Sequence, residues 1–152
     1  INVGLVGSEM CIRDRRSVDT IERIVRHARD IARSDRSLDE NAGELPEVIV
    51  QSVLGMHKSM NSLLDTMCTC LTENEDVPIE EVRNSWKNIR QEHRKAVDAL
   101  SSLKSDSMGG KAARLDIVNI VSRVERSAYN LVRLASLWHH ALHNENLILD
   151  SK

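Results

Sequence analysis

The sequence predicts an all-α protein, an antiparallel bundle of long amphipathic helices, and three observations support this fold class. Apolar residues recur at alternating spacings of three and four along most of the chain, as they do on the buried face of a helix. Only Pro46 and Pro78 interrupt the chain, and both stand where a helix can begin. Aromatic residues, which favour sheets, are limited to two Trp and one Tyr. The core is therefore expected to consist of aliphatic side chains and Met.

The first fifteen residues are treated separately. The stretch 8–14, SEMCIRD, reads as an in-frame translation of a transposase adaptor used to build sequencing libraries. We therefore interpret residues 1–15 as an assembly scar without a structural role, and residues 16–152 as one helical-bundle domain. This interpretation implies that the natural protein is longer at its N-terminus. A genuine N-terminal strand, INVGLVG, is the alternative.

The first helix is predicted to begin at Ser17, because serine caps helix N-termini well. It should end near Ser34, before a polar loop that carries Asn41 and Gly43. Its expected apolar stripe consists of Val18, Ile21, Val25, Ala28 and Ala32.

Three further helices follow, each with an apolar stripe of the same spacing. The second begins around Pro46 and ends at about Glu73, with the stripe Ile49, Val53, Met56, Met60, Leu63, Met67 and Cys70. The third begins near Pro78 and ends in the loop 104–110, with the stripe Ile79, Val82, Trp86, Ile89, His93, Ala96, Leu100 and Leu103. The fourth extends from about Lys111 to Asn144, with the stripe Ile117, Val121, Val124, Ala128, Leu131, Ala135, Trp138 and Leu142. Such spacing is typical of helices packed at a shallow angle, and short loops make sequential neighbours antiparallel.

Composition argues against several classes of protein. The formal net charge of −2 gives no overall basic excess for nucleic acid or an anionic membrane surface. No apolar run is long enough to span a bilayer. Gly109 and Gly110 precede Lys111 without the upstream glycine and strand of a phosphate-binding loop. Cys68 and Cys70 should point to opposite sides of a helix, which disfavours a chelate or a disulfide and fits a reducing compartment.

The first and fourth helices share a register. When Glu22 is aligned with Glu125, Arg23 falls on Arg126 and the apolar positions coincide. The coinciding pairs are Val18 with Val121, Ile21 with Val124, Ile31 with Leu134 and Ala32 with Ala135. Two interpretations stay open: a shared helical bias in composition, or an internal repeat about three helices long. Under the second, the first helix is the last helix of a preceding repeat.

On these segments the chain resembles the PhoU family, whose members are built from tandem three-helix repeats. The closing helix of a family repeat carries a stretch like DIERIGDHAVNIA. Here residues 19–32 read DTIERIVRHARDIA, and residues 121–135 read VSRVERSAYNLVRLA. The resemblance covers nearly everything after Arg15, so the expected fold is one PhoU-like repeat plus the last helix of a preceding one.

The resemblance implies a non-enzymatic domain that regulates phosphate transport or phosphate-responsive signalling. The implied partner is a phosphate transporter or a sensor-kinase component, and a homodimer stays open. The implied location is cytoplasmic, with membrane association only through a partner or a preceding segment. Neither nucleic-acid binding nor a membrane-spanning segment is expected of this fragment.

Members of the family often bind metal clusters through an acidic residue followed four positions later by Asp, because carboxylates one turn apart share a helix face. The acidic residue is kept here as Glu22 and Glu125. The second position is Arg26 in the first helix and Tyr129 in the fourth. A guanidinium at this position can pair with Glu22 and repels a cation. We therefore expect no metal and no other cofactor at these positions.

Several histidines support alternative hypotheses. His139 and His143 lie one turn apart and could chelate a transition metal, as in a metal-dependent bundle enzyme, although polar side chains are common at helix C-termini. His57 beside Lys58 suggests a histidine phosphotransfer bundle, but the usual His-x-x-Lys-Gly pattern is missing. His93 is expected to be a core or interface histidine that hydrogen-bonds to a neighbour. No catalytic residue is predicted, since no nucleophile stands beside a convincing base.

Overall fold

Four α-helices make up the computed structural model, which describes residues 3–41, 43–104, 110–145, 147 and 149. The helices are α1 (Val3–Asn41), α2 (Glu47–Glu73), α3 (Ile79–Ser102) and α4 (Lys111–His143). The described residues contain no strand, so the predicted all-α bundle is confirmed. The predicted bounds of α2, α3 and α4 agree closely with the observed ones, while residues 105–109 of the predicted third loop lie outside the described residues.

Helices α2, α3 and α4 pack together around one core. Sequential neighbours are antiparallel: Gly55 of α2 faces Glu92 of α3, and the ring of Trp86 in α3 contacts that of Tyr129 in α4. Every residue of the three predicted stripes is buried or half-buried. The most deeply buried large side chains are Ile49, Met56, Leu63, Met67, Val82, Ile89, Ile117, Val121 and Val132. Burial of each such side chain contributes about 1.5–3 kcal/mol, enough to hold this unit together without a metal or a disulfide.

Helix α1 is arranged differently, because within the described part of the chain it packs against α4 and no other helix. The two helices are antiparallel: Ser37 donates a hydrogen bond to Asp116 over 2.7 Å, and Arg123 lies 3.5 Å from Asp30. The α1 residues that α4 buries or half-buries include Ser17, Thr20, Ile24, His27, Ile31, Ser34 and Leu38. This face contains more polar residues than apolar ones.

The predicted apolar stripe of α1 is wrong. Val18, Ile21 and Val25 are 63%, 45% and 63% exposed, and Ala28 and Ala32 are exposed as well. We call these five residues the α1 outer stripe. The face that contacts α4 is displaced by one residue, about 100° around the helix. Amphipathicity selects the most apolar face of an isolated helix, whereas here the neighbouring helix lies against the adjacent, more polar face.

The predicted ends of α1 are also wrong, since the helix extends from Val3 to Asn41. Ser17 therefore lies inside the helix instead of capping it, and Ser34 does not end it. Neither Pro nor Gly occurs between Ser8 and Asn41, and Ser, Asp and Asn disfavour a helix interior only slightly. Residues 3–15 belong to α1 in the structure, while their interpretation as an adaptor translation stays a prediction.

The ends of the three-helix unit have defined caps. Asn74 and Asn144 end α2 and α4 in the left-handed region, with φ of 57° and 56°, which asparagine tolerates better than most residues. Gly110 precedes α4 with a φ of 96°, a conformation that favours glycine. Trp138 of α4 donates a hydrogen bond over 3.0 Å to the carbonyl oxygen of Glu75, so the loop between α2 and α3 is fastened to α4.

Replacing Leu63 with alanine should destabilise the protein by about 2–5 kcal/mol, because this side chain is 0% exposed and its loss leaves a cavity. The matched control is Leu54→Ala on the same helix, where the side chain is 54% exposed and the expected change is below about 0.5 kcal/mol. Urea unfolding followed by circular dichroism measures both free energies of unfolding. Equal losses for the two variants would contradict the observed orientation of α2.

Candidate functional site

Basic side chains from two helices line a groove between α1 and α4, which we call the arginine groove. Its volume is about 330 Å³. Its residues are Arg23, Arg26 and His27 of α1, and Arg123, Arg126, Tyr129, Asn130 and Arg133 of α4. Because α1 and α4 are antiparallel, the two segments that carry the family-like stretches lie side by side here. The family pattern has Asp at two positions that are Arg26 and Tyr129 in this chain. Both of these residues line the groove.

Two of the five arginines are paired with carboxylates. Arg26 lies 2.9 Å from Glu22 of the preceding turn, so the predicted ion pair is confirmed, and both side chains are largely exposed. Arg123 lies 3.5 Å from Asp30. Arg23, Arg126 and Arg133 form no ion pair with the described residues. The groove therefore holds uncompensated positive charge, although the whole chain is slightly acidic.

His27 lies inside this cationic surrounding, which disfavours the protonated form of its ring. The Nη1 atom of Arg123 donates towards Nδ1 of His27 over 3.3 Å, which requires the ring nitrogen to act as an acceptor. Partial burial lowers the pKa of His27 below 6.5, and the positive charges of Arg123, Arg126 and Arg26 lower it further, against the opposing effect of Asp30. His27 thus adds no positive charge to the groove near neutral pH.

Two aromatic rings connect the arginine groove to a second basic surface. The ring centroids of Tyr129 and Trp86 are 6.0 Å apart, and the guanidinium of Arg90 lies 5.7 Å from the Trp86 ring. Nε1 of Trp86 is buried and has no hydrogen-bond partner among the described residues. On its other side, Trp86 borders a wider cleft lined by Arg83, Lys87, Arg90, Gln91, Arg94, Lys95, Asp98 and Leu149. The net charge of the chain therefore conceals an uneven distribution of charge.

The family-motif positions do not fit a metal ion. Arg26 pairs with the carboxylate of Glu22. Tyr129 has no carboxylate to offer as a ligand, and its ring contacts that of Trp86. The described residues contain no group of three or more His, Cys, Asp or Glu side chains placed to hold a cation. The arginines around these positions would repel a cation and attract an anion.

Among the histidines at the end of α4, His143 contacts the loop between α2 and α3. The rings of His139 and His143 are close, with centroids 4.7 Å apart, as their spacing predicts. Nε2 of His143 lies 2.6 Å from the carboxylate of Asp76, so this nitrogen already has a partner. Together with the Trp138 hydrogen bond, this contact fixes the loop to α4, which is a structural role.

The remaining sequence candidates are separate from the arginine groove. His57 is exposed on α2 and lies 3.3 Å from Nδ2 of Asn61. His93 is half-buried, but it makes no hydrogen bond to the described residues, so its predicted partner is absent. Cys68 is exposed and Cys70 is buried, which confirms that the two thiols point to opposite sides.

Sequence reasoning missed most of the arginine groove. Arg123, Arg126, Asn130 and Arg133 are spaced by three, four and three residues, so they share one face of α4, and this periodicity could have identified half of the groove. The contribution of Arg23 and His27 could not be found in the same way. It depends on which face of α1 lies against α4.

Comparison with known proteins identifies no relative: no family model, no curated protein and no solved structure matches this chain. The family resemblance therefore rests on the sequence pattern of this chain alone. None of the described helices is long and apolar enough to cross a membrane.

The stability of the protein should decrease on acidification through His27. Because the folded state lowers the pKa of His27, the unfolded chain takes up a proton more readily as the pH falls below 6.5, and the free energy of unfolding drops. Well above pH 6.5 the ring is neutral in both states and the contribution vanishes. The variant His27→Gln should lose less stability than the native protein between about pH 7.5 and 5.5 in urea unfolding. Parallel losses in the two proteins would show that His27 is not held neutral.

The two helical cysteines of α2 should differ in reactivity. Burial raises the pKa of the Cys70 thiol, Glu75 adds to this effect, and the thiol donates a weak hydrogen bond to the carbonyl oxygen of Asp76 over 3.5 Å. Cys68 is exposed. Iodoacetamide at neutral pH should therefore alkylate Cys68 well before Cys70, as peptide mass spectrometry would measure. Preferential alkylation of Cys70 would contradict its burial.

Proposed function

We propose that this chain is a non-enzymatic, PhoU-like interaction domain. It regulates phosphate transport or phosphate-responsive signalling at the cytoplasmic side of a phosphate transporter. It does so by binding a transporter or sensor-kinase component through the α1 outer stripe. The observation that carries this proposal is the exposure of that stripe on a helix that has only one helical neighbour in the described structure.

The α1 outer stripe has the properties of a docking surface. Val18, Ile21 and Val25 follow one another at helical spacing, so their exposed side chains form a continuous apolar line along α1. Meanwhile the face that α1 turns towards α4 includes polar residues such as Thr20 and His27. Leaving the more apolar face in water is unfavourable, and such surfaces commonly mark a site of protein–protein contact.

The register shared by α1 and α4 supports the same conclusion and indicates the shape of the partner. Aligned with α4, the outer-stripe residues Val18 and Ile21 correspond to Val121 and Val124, which are buried and half-buried respectively. The exposed Ala32 likewise corresponds to Ala135, which is 0% exposed. On α4 these positions belong to the core formed with α2 and α3. We therefore expect the partner to have two amphipathic helices. They would pack against this face of α1 as α2 and α3 pack against α4.

The phosphate-related part of the proposal rests on the family-like stretches. Residues 19–32 carry the closer match, and they lie antiparallel to the weaker match at 121–135. The departures at Arg26 and Tyr129 remove the metal-binding pattern of the family but leave the apolar register intact. Regulation by protein contact needs that register and does not need a metal.

Affinity capture from the source cell or a close relative tests this function. The intact chain should recover a phosphate-transport or sensor-kinase component, and Val25→Asp should abolish the recovery because it places a charge in the middle of the outer stripe. Val48→Asp is the matched control, since Val48 is 57% exposed on α2 and lies outside the stripe. Circular dichroism verifies that both variants keep their helical content.

Four results would contradict the proposal. Capture without any transport or signalling component would argue against the phosphate-related function, and equal recovery with Val25→Asp and Val48→Asp would argue against the outer stripe. Stoichiometric iron, zinc or manganese in the purified protein would favour a metal-dependent enzyme instead. Transfer of phosphate from a labelled response regulator to His57, which is exposed on α2, would favour a histidine phosphotransfer protein.

A further inference from the structure

We propose that the arginine groove binds a small oligophosphate, an anion with at least two linked phosphate groups. The inference rests on the geometry and charge of the groove. It does not depend on the partner assigned to the α1 outer stripe.

The chemistry of the groove selects phosphate oxygens. A guanidinium presents a planar fork of N–H donors that matches two oxygens of one phosphate group. Arg23 approaches from α1, while Arg126 and Arg133 approach from α4, and none of them is neutralised by a described carboxylate. Tyr129, whose hydroxyl group is a neutral donor, also lines the groove. Donors that converge from two helices form a concave site, in contrast to the scattered charges of a solvated helix face.

The charge and size of the groove favour an oligophosphate over a single phosphate ion. Three unpaired guanidinium groups attract more negative charge than one phosphate ion carries, whereas a diphosphate or triphosphate can contact several of them together. The volume of about 330 Å³ is within the range of small-molecule sites. Glu22 and Asp30 flank the groove on α1, so a long polyanion along this helix would meet carboxylates at both positions.

His27 provides a local probe for binding. In the free protein partial burial and the neighbouring arginines lower the pKa of the ring. A bound anion would offset these positive charges, so the pKa of His27 should rise when the groove is filled. The groups that face His27 are Arg123 and Arg126 of α4, together with Arg26 and Asp30 of α1.

Calorimetric titration with inorganic triphosphate at moderate salt tests the proposal. The native chain should bind it with about one-to-one stoichiometry and at least tenfold more tightly than orthophosphate. The double variant Arg126→Gln with Arg133→Gln should weaken binding by at least tenfold, because two charge-assisted contacts are lost. The single variant Arg23→Gln tests the α1 side of the groove independently and should weaken binding as well.

The matched control removes the same amount of charge elsewhere. Lys58→Gln with Lys111→Gln replaces two exposed lysines that do not line the groove, and this protein should bind triphosphate within twofold of the native affinity. Histidine resonances followed by NMR should show a rise in the pKa of His27 on adding triphosphate, and the double arginine variant should abolish that response.

An ATP titration separates two sources of the same chemistry. Equal affinity for ATP and triphosphate would identify the ligand as a free oligophosphate. Tighter binding of ATP would identify it as a nucleotide whose base stacks near Tyr129. Three results would overturn the proposal: no saturable binding of either compound, an equal loss of affinity in the lysine control, or tighter binding of duplex DNA than of triphosphate at the same salt concentration.

Discussion

The burial of α4 on two sides is the constraint on which the remaining structure depends. One side carries Ile117, Val121 and Ala128 into the core shared with α2 and α3, and another side lies against α1. Removing this much apolar surface from water is the main favourable contribution to the free energy of folding. Because α4 alone joins α1 to the other helices within the described structure, the outer face of α1 has no helical neighbour and its apolar stripe stays exposed.

The two sides of α4 differ in chemistry. One side mainly stabilises the fold, and the other carries the guanidinium groups of the proposed anion site. The side shared with α2 and α3 is almost entirely apolar, and Ala128 and Ala135 are 0% exposed there. The side towards α1 includes polar links, among them Ser37 to Asp116 and Arg123 to Asp30. Ion pairs of this partly exposed kind contribute little to stability. Guanidinium groups lie at the edges of the contact between α1 and α4, where an anion can reach them.

Most of the three-helix unit could be predicted, and α1 could not. The predicted stripes of α2, α3 and α4 are buried or half-buried throughout, so periodicity identified a buried side of each helix. It did not identify the second buried side of α4, where Ile120, Val132 and Leu134 lie outside the stripe. On α1 the stripe that begins at Val18 and the face that contains Thr20 and Ile24 lie next to each other, and the more apolar one is exposed. The predicted ends of α1 were wrong for a related reason. A serine such as Ser17 can cap a helix, but it can also lie inside one.

The sequence by itself determined the fold class, the bounds of three helices, their buried faces and the ion pair between Glu22 and Arg26. These properties are local, since they depend on spacings of three or four residues along one helix. Only the tertiary structure decided which face of α1 meets α4 and which arginines share a groove. Arg23 and Arg133 are far apart in the chain, and no periodicity specifies how one helix is rotated about its axis against another. That rotation is set by side-chain packing between the two helices, which exists only once they meet.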